Sequence, residues 1–179
     1  MELLVVRHTT PFVKEGICYG QTDLPLANTF LEEFDEVKSK IPNRTRSEYV
    51  FSSPLKRCSY LASALSDHVV YDSSLKEMNF GDWEMQAWND INQEHLSVWM
   101  NDFVNVRCPG GENYKDVVYR SKTFLDKVIT EKLERAIVVT HAGVIRAFMT
   151  IIDKIEPAET FRTKIEYGEV IKFELSYQI

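Results

Sequence analysis

The sequence predicts a three-layer α/β/α fold built around a mostly parallel central sheet. Short runs of consecutive apolar residues, rich in Val, Leu and Ile, alternate along the chain with longer segments in which apolar residues recur every three or four positions. The short runs have the composition of strands buried on both faces, and the longer segments have the periodicity of amphipathic helices. Buried strands that alternate with such helices form parallel sheets covered by a helical layer on each side.

The first half of the chain is predicted to supply two strands and two helices. Residues 3–6 form the first buried strand and residues 49–51 the second. Between them, one face of a helix is formed by Phe30, Phe34, Val37 and Ile41. Thr29 with Glu32 predicts a capping box at the start of that helix, and Ser53 with Pro54 predicts the start of the next one. The buried face of this second helix holds Leu55, Cys58, Ala62 and Leu65.

The second half is predicted to add helices, a third buried strand and a terminal strand. A less regular helical pattern over residues 88–103 is formed by Trp88, Ile91, Trp99 and Phe103. A longer helix is predicted from Tyr114, Val117, Ser121, Phe124 and Val128. Residues 136–140 form the third buried strand, and residues 144–152 form the helix behind it. A half-exposed strand at the end is predicted from the alternation of polar residues with Ile171, Phe173, Leu175 and Tyr177.

Composition narrows the functional classes. The 179 residues include 21 Lys and Arg against 27 Asp and Glu, a net charge of −6 that argues against bulk attraction to nucleic acid or to an anionic membrane. The three cysteines lack CxxC spacing and predict reduced thiols, and no segment approaches the roughly 18 apolar residues of a membrane span. Because no repeat or linker is visible, we expect a single domain over residues 1–179 of a cytoplasmic protein.

Polar sites follow each of the three predicted buried strands. Arg7 and His8 follow the first strand, Ser53 follows the second, and His141 follows the third. In open α/β sheets, ligands bind at the carboxyl ends of the strands. We therefore expect these three sites, distant in sequence, to lie close together at one edge of the sheet.

The residue types at these sites suit phosphoryl transfer to a histidine. Arg57 lies in the first turn of the second predicted helix, where free backbone N–H groups also favour an anion. Glu77 precedes an aromatic and glycine-rich turn and has the chemistry of a proton donor. Each of these residues alone is equally typical of an ordinary surface position. Together with His8 and His141 they supply a nucleophile, donors for the phosphoryl oxygens and an acid for the leaving group.

The four segments together resemble the histidine phosphatase superfamily, which is also called phosphoglycerate-mutase-like. Members carry an RH pair at a strand end, a serine-rich turn before an SPLxR helix, an LxExxFGxWE segment and a late THxGVIR. The matching segments are residues 7–8, 52–57, 75–84 and 140–146, so the resemblance spans roughly residues 2–150. Within the family, ICYGQTDLPL and FGDWEM are most similar to the branch that contains the α-ribazole phosphatases of cobalamin assembly.

The resemblance implies a role for each matched residue. His8 would become the phosphohistidine, Arg7, Arg57 and His141 would bind the phosphoryl oxygens, and Glu77 would donate the proton. His141 would act in its protonated form, which its surroundings would have to favour. No metal and no cofactor are expected. The expected partner is a small phosphomonoester, with α-ribazole 5′-phosphate as the specific substrate, and neither nucleic acid nor a membrane.

The chain also departs from the family pattern around the first loop. Position 9 is threonine where many members have glycine, and Pro11 stands where a threonine is usual. We expect Thr10 to supply the hydroxyl contact to phosphate in its place. In the same loop Cys18, Tyr19 and Gln21 are further candidates for substrate contact.

Two other kinds of catalytic site lack their sequence signatures in this chain. A cysteine phosphatase requires C-x5-R, which none of the three cysteines provides, and the four histidines lack the short spacing of metal ligands. A chain of this length resembles the compact phosphatases more than the longer mutases. A broad-specificity sugar-phosphate or phosphoglycerate phosphatase or mutase stays an alternative, as does a non-catalytic phosphoryl-binding module on the same fold. The aromatic side chains of Trp83, Trp88 and Trp99 fit either the core or the wall of a pocket, and the oligomeric state is not predicted.

Overall fold

A computed structural model describes residues 1–43 and 48–175 of the chain. Its strands are β1 (Glu2–Arg7), β2 (Tyr49–Ser52), β3 (His68–Tyr71), β4 (Arg135–Thr140) and β5 (Val170–Glu174). Its α-helices are α1 (Phe30–Lys40), α2 (Lys56–Leu65), α3 (Gln93–Asn101), α4 (Tyr114–Thr130), α5 (Ala142–Ile152) and α6 (Pro157–Thr160). Short 3₁₀ turns cover Ser73–Leu75 and Gly81–Trp83.

The strands form one sheet in the order β3-β2-β4-β1-β5. The strands β1 to β4 are parallel, and β5 runs antiparallel to β1 at one edge. In this register Arg7 lies opposite Thr140, and Ser52 lies opposite Val139. The predicted mostly parallel sheet is confirmed, and the carboxyl ends of β1, β2 and β4 lie together at one edge.

Helices cover both faces of the sheet, because alternate residues of each buried strand point to opposite sides. The core on one face contains Leu3, Val5, Val138, Phe124 of α4 and Phe148 of α5. The core on the other face contains Leu4, Val6, Val139, Val37 of α1 and Leu61 of α2. All of these side chains are at most 4% exposed. Because both faces of these strands are buried, consecutive residues along each strand are apolar. The helices on both faces of the sheet confirm the three-layer fold.

Three local predictions differ from the structure. The helix α1 begins at Phe30 as expected, but the predicted capping box of Thr29 with Glu32 is wrong, since the Thr29 hydroxyl donates to Glu33 Oε1 instead. The helix α2 begins at Lys56 with Leu55 as its N-cap, two residues later than Ser53 and Pro54 predicted. The strand β3 was not predicted because it lies at the sheet edge and is largely exposed, so it lacks a buried apolar run.

The other predicted elements agree with the structure in type and differ in length, and the short helix α6 was not predicted. Only Gln93–Asn101 of the irregular pattern over residues 88–103 is helical. The helix α4 is confirmed and begins with a capping box between Asn113 and Asp116. The strand β5 is confirmed over Val170–Glu174, while Tyr177 lies outside the described residues. No helix in the described part of the chain combines the length and the apolar composition that crossing a bilayer requires.

Candidate active site

His8 lies just past the end of β1 and is 2% exposed. Its Nδ1 is 2.7 Å from the carbonyl oxygen of Thr9. Since a carbonyl oxygen only accepts, Nδ1 carries the proton and Nε2 carries the lone pair. Burial, followed by the positive charges of Arg57 and Arg7, lowers the pKa of His8 well below its usual value, although the Thr9 hydrogen bond opposes this. The imidazole is therefore neutral near pH 7, as a nucleophile requires.

Two arginines from different parts of the chain lie beside this ring. Arg7 donates from Nη1 to the carbonyl of Ile165, and Arg57 donates from Nη1 to the carbonyl of Thr22 at 2.9 Å and from Nη2 to that of Gly20. Arg57 is fully buried. The Nε–H of each guanidinium is buried without a hydrogen-bond partner among the described residues. A buried N–H of this kind is costly to leave unpaired, so both groups are available to the oxygens of a phosphoryl group.

The predicted contribution of the α2 N-terminus is different from what we expected. The backbone N–H of Lys56 donates to Asp23 Oδ1 at 2.7 Å, so a carboxylate of the chain already occupies that position. The Arg57 side chain, and not the end of its helix, is what α2 contributes to the site.

His141 follows β4 and its ring centroid lies 5.0 Å from that of His8. Its Nε2 is 2.9 Å from Ser53 Oγ and 3.4 Å from Cys58 Sγ. The surrounding groups of the chain do not by themselves favour the protonated form, since burial, then Arg57 and His8, lower the pKa of His141 well below its usual value. A bound phosphoryl dianion adds negative charge here, which favours the charged imidazole.

Glu77 is placed opposite these groups by the segment that follows β3. Its Oε1 accepts from the Met78 N–H at 2.9 Å and its Oε2 accepts from the Gly143 N–H at 3.2 Å. A Cβ at position 143 would lie 2.2 Å from Glu77 Oε1, so only glycine allows this approach in the first turn of α5. Gly143 therefore allows the Glu77 carboxylate to pack directly against the start of α5, next to His141.

Arg120 of α4 and Glu112 hold the Glu77 segment by its backbone. Arg120 donates to the carbonyls of three residues of that segment, Ser74, Lys76 and Glu77. Its guanidinium also donates to Glu112 through Nε at 2.9 Å and through Nη2 at 3.1 Å, and both side chains are less than a fifth exposed. Through this pair, the backbone of the Glu77 segment is held against α4. Neither Arg120 nor Glu112 was predicted from the sequence.

We expect Arg120→Met to reduce both stability and kcat. The change removes the Arg120 hydrogen bonds to three backbone carbonyls and to the Glu112 carboxylate, which should cost about 2–3 kcal/mol of unfolding free energy. It should also lower kcat about tenfold, because Glu77 loses its fixed position. Urea denaturation and steady-state kinetics measure the two effects.

A second variant separates the two effects. Arg120→Met combined with Glu112→Leu removes both charges, so part of the lost stability should return while kcat stays low. If kcat returned together with stability, the pair would act on folding alone and the positioning role would be wrong.

Glu84 joins the loop around Arg57 to the Glu77 segment. Its carboxylate accepts from the backbone N–H groups of Gln21 and Thr22 on one side and of Phe80 on the other. Burial acts to raise the pKa of Glu84, but hydrogen bonds led by that of the Thr22 side chain outweigh it and lower the pKa. The carboxylate therefore stays ionised as a structural acceptor.

The predicted substrate contacts Thr10 and Gln21 lie at the border of this region. The Thr10 N–H donates to Glu33 of α1 at 2.7 Å. The Gln21 side-chain amide donates to the carbonyl of Glu77 at 3.1 Å. The role of both residues in binding substrate stays a prediction.

Two adjoining cavities share Glu77 and Phe80 as part of their walls. The first, which we call the His8 chamber, is lined by Arg7, His8, Ile17, Tyr19, Glu77, Phe80 and Trp88. The second, which we call the aromatic chamber, is lined by Glu77, Met78, Phe80, Trp99, Tyr114, Ala142, Gly143, Arg146 and Phe161. Their volumes are about 200 and 120 Å³, respectively. Trp88 lines the His8 chamber and Trp99 lines the aromatic chamber, whereas Trp83, which is 5% exposed, lines neither of them and belongs to the core.

The structure brings together five of the residues predicted to act in the reaction, namely Arg7, His8, Arg57, Glu77 and His141. Sequence reasoning missed the residues that hold them, including Glu84, Glu112, Arg120 and Tyr167. Glu84 could have been identified from the sequence, because it is the last residue of the FGDWE segment that matches the family pattern. The other three come from segments whose pairing with the site depends on the tertiary fold.

Comparisons with known proteins show the family and the fold of the chain. A family model described as histidine phosphatase superfamily (branch 1) matches residues 3–178. The chain is 30% identical over 157 residues to phosphoglycerate mutase-like protein 4 of Arabidopsis thaliana, which covers 82% of this chain and 68% of that one. It is 29% identical over 154 residues to the adenosylcobalamin/alpha-ribazole phosphatase of Escherichia coli strain K12, covering 81% and 75%. The solved alpha-ribazole phosphatase from Shigella flexneri shares the fold with a TM-score of 0.87 at 23% identity, covering 98% and 91%.

Proposed function

The chain belongs to the histidine phosphatase superfamily and is a phosphatase, and we propose that it transfers the phosphoryl group of a small phosphomonoester first to His8 and then to water. In the first step His8 Nε2 forms a bond to phosphorus while the bond to the leaving alcohol oxygen breaks. Glu77 gives its proton to that oxygen. In the second step Glu77 takes a proton from water, the water oxygen bonds to phosphorus, and the bond to His8 breaks.

The guanidinium groups of Arg7 and Arg57 stabilise this transfer in our proposal. A phosphoryl group in transfer spreads its charge over three equatorial oxygens, so fixed cations supply much of the catalysis. His141 adds a third donor, which becomes charged as the dianion binds. The neutral tautomer of His8, with its lone pair on Nε2, is the observation that carries this proposal.

We propose α-ribazole 5′-phosphate as the substrate, on the evidence of the aromatic chamber. The leaving oxygen must lie beside Glu77 to receive its proton, and past Glu77 the cavity continues along Phe80, Trp99 and Phe161. Aromatic groups that pack against such side chains gain about 0.5–1.5 kcal/mol beyond the burial of their surface. The flat dimethylbenzimidazole of α-ribazole suits these walls. The name of the Escherichia coli relative, at 29% identity, supports the same substrate.

A second candidate substrate class rests on Arg146, which lies in the wall of the same chamber. Its described hydrogen bonds go to the carbonyls of Thr160 and Thr163, which do not neutralise its charge. Its guanidinium carbon lies 4.9 Å from the centre of the Phe161 ring. A carboxylate on the leaving group would pair with this cation, as 3-phosphoglycerate or phosphoserine would offer.

The two classes are separated by a substrate panel with inorganic phosphate release as the readout. We expect kcat/KM for α-ribazole 5′-phosphate to exceed that for 3-phosphoglycerate and phosphoserine by about 100-fold or more. Phe161→Ala should lower kcat/KM for α-ribazole 5′-phosphate about tenfold, because a ring contact is lost. Phe12→Ala is the matched control, since Phe12 is exposed and belongs to neither chamber wall.

The opposite preference would contradict the α-ribazole assignment. If 3-phosphoglycerate or phosphoserine were the better substrate, and if Arg146→Met removed that preference, the anionic class would be the correct one.

A further inference from the structure

Each of the two arginines beside His8 is enclosed by a loop in the same way. The Tyr19–Thr22 loop surrounds Arg57, whose guanidinium donates to the carbonyls of Gly20 and Thr22. The Tyr19 ring lies on one side of that guanidinium, 5.5 Å from its central carbon. Arg57 is thus held by two carbonyls and one tyrosine ring.

A loop near the C-terminus surrounds Arg7 in the same manner. Arg7 donates to the carbonyl of Ile165, and its guanidinium carbon lies 3.8 Å from the centre of the Tyr167 ring. The Gly168 N–H reaches back to the carbonyls of Arg7 and His8, at 3.2 and 3.3 Å. This loop therefore fixes both the side chain and the backbone of the residue before the nucleophile.

The two loops are joined by one hydrogen bond between their tyrosines. The hydroxyl oxygens of Tyr19 and Tyr167 are 2.6 Å apart, although the residues are separated by 148 positions. Burial, then the hydrogen bond with Tyr167, raises the pKa of Tyr19, so the hydroxyl stays protonated. The Tyr167 ring also lies 5.5 Å from the His8 ring. Tyr19 therefore lines the His8 chamber and Tyr167 lies beside the His8 ring, with one tyrosine next to each arginine.

We propose that Tyr19 and Tyr167 form a clasp that sets the separation of Arg7 and Arg57 and thereby positions both guanidiniums for the equatorial oxygens of the phosphoryl group. The inference rests on the proposed function, because it assumes transfer between these two arginines. Both tyrosines are positioning residues in it. The two guanidiniums come from segments that are remote in sequence, so a fixed distance between them requires a link between their surroundings. The hydrogen bond between Tyr19 and Tyr167 links their two loops directly.

The proposal has a clear consequence for how the two hydroxyls contribute. If they act only through the bond between them, removal of either one destroys the whole effect, and removal of the second adds nothing. If each hydroxyl instead contacts the substrate by itself, the two losses multiply. A double-mutant cycle distinguishes these cases.

The test uses Tyr19→Phe, Tyr167→Phe and the double variant in the full chain, with p-nitrophenyl phosphate as substrate. Each phenylalanine keeps the ring beside its arginine and removes only the hydroxyl. We expect each single change to lower kcat about three- to tenfold with little change in KM, the size of one neutral hydrogen bond, and the double variant to match the singles. Binding of orthovanadate, whose trigonal-bipyramidal form imitates the transferring phosphoryl group, should weaken by the same factor, while inorganic phosphate binding changes less.

Tyr119→Phe is the matched control, because Tyr119 is 77% exposed on α4 and should keep full activity. Losses that multiply in the double variant, or singles as active as the wild type, would overturn the clasp. His8→Ala is assayed in parallel: if it stayed active, the proposed function would fail, whereas an inactive His8→Ala with multiplying tyrosine losses would overturn the clasp alone.

Discussion

Replacing His8 with alanine is expected to abolish turnover, with a loss of kcat on the order of 10⁵-fold. In the proposed route the imidazole forms the covalent bond to phosphorus, and its Nε2 is available because Nδ1–H donates to the Thr9 carbonyl. Arg7, Arg57 and His141 would still bind the phosphoryl group, but water would have to attack the substrate directly, without a covalent intermediate. The measurement is release of inorganic phosphate from the preferred substrate in the presence of EDTA.

Intact-protein mass spectrometry supplies the second readout. After brief incubation with substrate, wild-type protein should carry the mass of one added phosphoryl group, located on His8, and His8→Ala should carry none. Phosphohistidine is unstable in acid, so the sample is denatured at neutral or alkaline pH. His95→Ala is the matched control, since His95 lies exposed on α3 and should keep both activity and the modification.

Folding of the variant has its own control. The alanine removes the donor to the Thr9 carbonyl, which should cost about 1 kcal/mol of unfolding free energy. His8→Asn keeps a side-chain N–H near that carbonyl and should be equally inactive while closer to wild-type stability. Substantial activity in either variant, or activity lost to EDTA and restored by zinc or magnesium, would contradict the phosphohistidine route.

The convergence of His8, Ser53 and His141 was predictable because it follows from sheet topology alone. Each residue comes directly after a buried strand, and parallel strands place their carboxyl ends at one edge whatever the intervening helices do. The same reasoning could not place Glu77 beside them, because Glu77 was singled out only by the aromatic and glycine-rich turn that follows it and not by a buried strand before it. Its segment follows β3, and β3 escaped prediction because an exposed edge strand has no continuous apolar run.

The residues that position the site could not be predicted from the sequence for a different reason. Arg120 meets the Glu77 segment through backbone carbonyls, which any sequence offers, so no side-chain pattern marks the pairing. Tyr167 meets Tyr19 only because the loop before β5 turns back over Arg7. Packing likewise decides that Trp83 belongs to the core while Trp88 and Trp99 line the chambers. The sequence could not distinguish them, because all three lie in one aromatic segment with similar neighbours.

Glu77→Gln is expected to make the first step depend on the leaving group. The amide has nearly the shape of the carboxyl group but cannot donate a proton to an alkoxide or take one from water. With an alkyl phosphomonoester, kcat should fall about 10²- to 10⁴-fold, the usual contribution of general acid–base catalysis. With p-nitrophenyl phosphate the first step should be almost unaffected, because p-nitrophenolate leaves without a proton.

The second step gives the variant a distinctive signature. Hydrolysis of phosphohistidine still needs the carboxylate to take a proton from water, so with p-nitrophenyl phosphate the variant should release a burst of p-nitrophenol equal to the enzyme concentration and then slow down. Phosphohistidine should accumulate during the slow phase and be visible by intact mass. Glu94→Gln, exposed in the first turn of α3, is the control and should show steady turnover without such a burst.

Two other outcomes are informative because they assign Glu77 a different role. If both substrates slowed equally and no burst appeared, the carboxyl group would act in holding the phosphoryl group or the loop, and the proton donor would have to be sought elsewhere in the His8 chamber. If the burst appeared with the alkyl phosphate as well, protonation of the leaving group would come from another donor, and Glu77 would serve only the water step. The predicted pattern, a burst with one substrate and a slow first step with the other, requires that the same carboxyl group acts in both halves of the reaction, and its position between the two chambers is what makes both roles accessible to it.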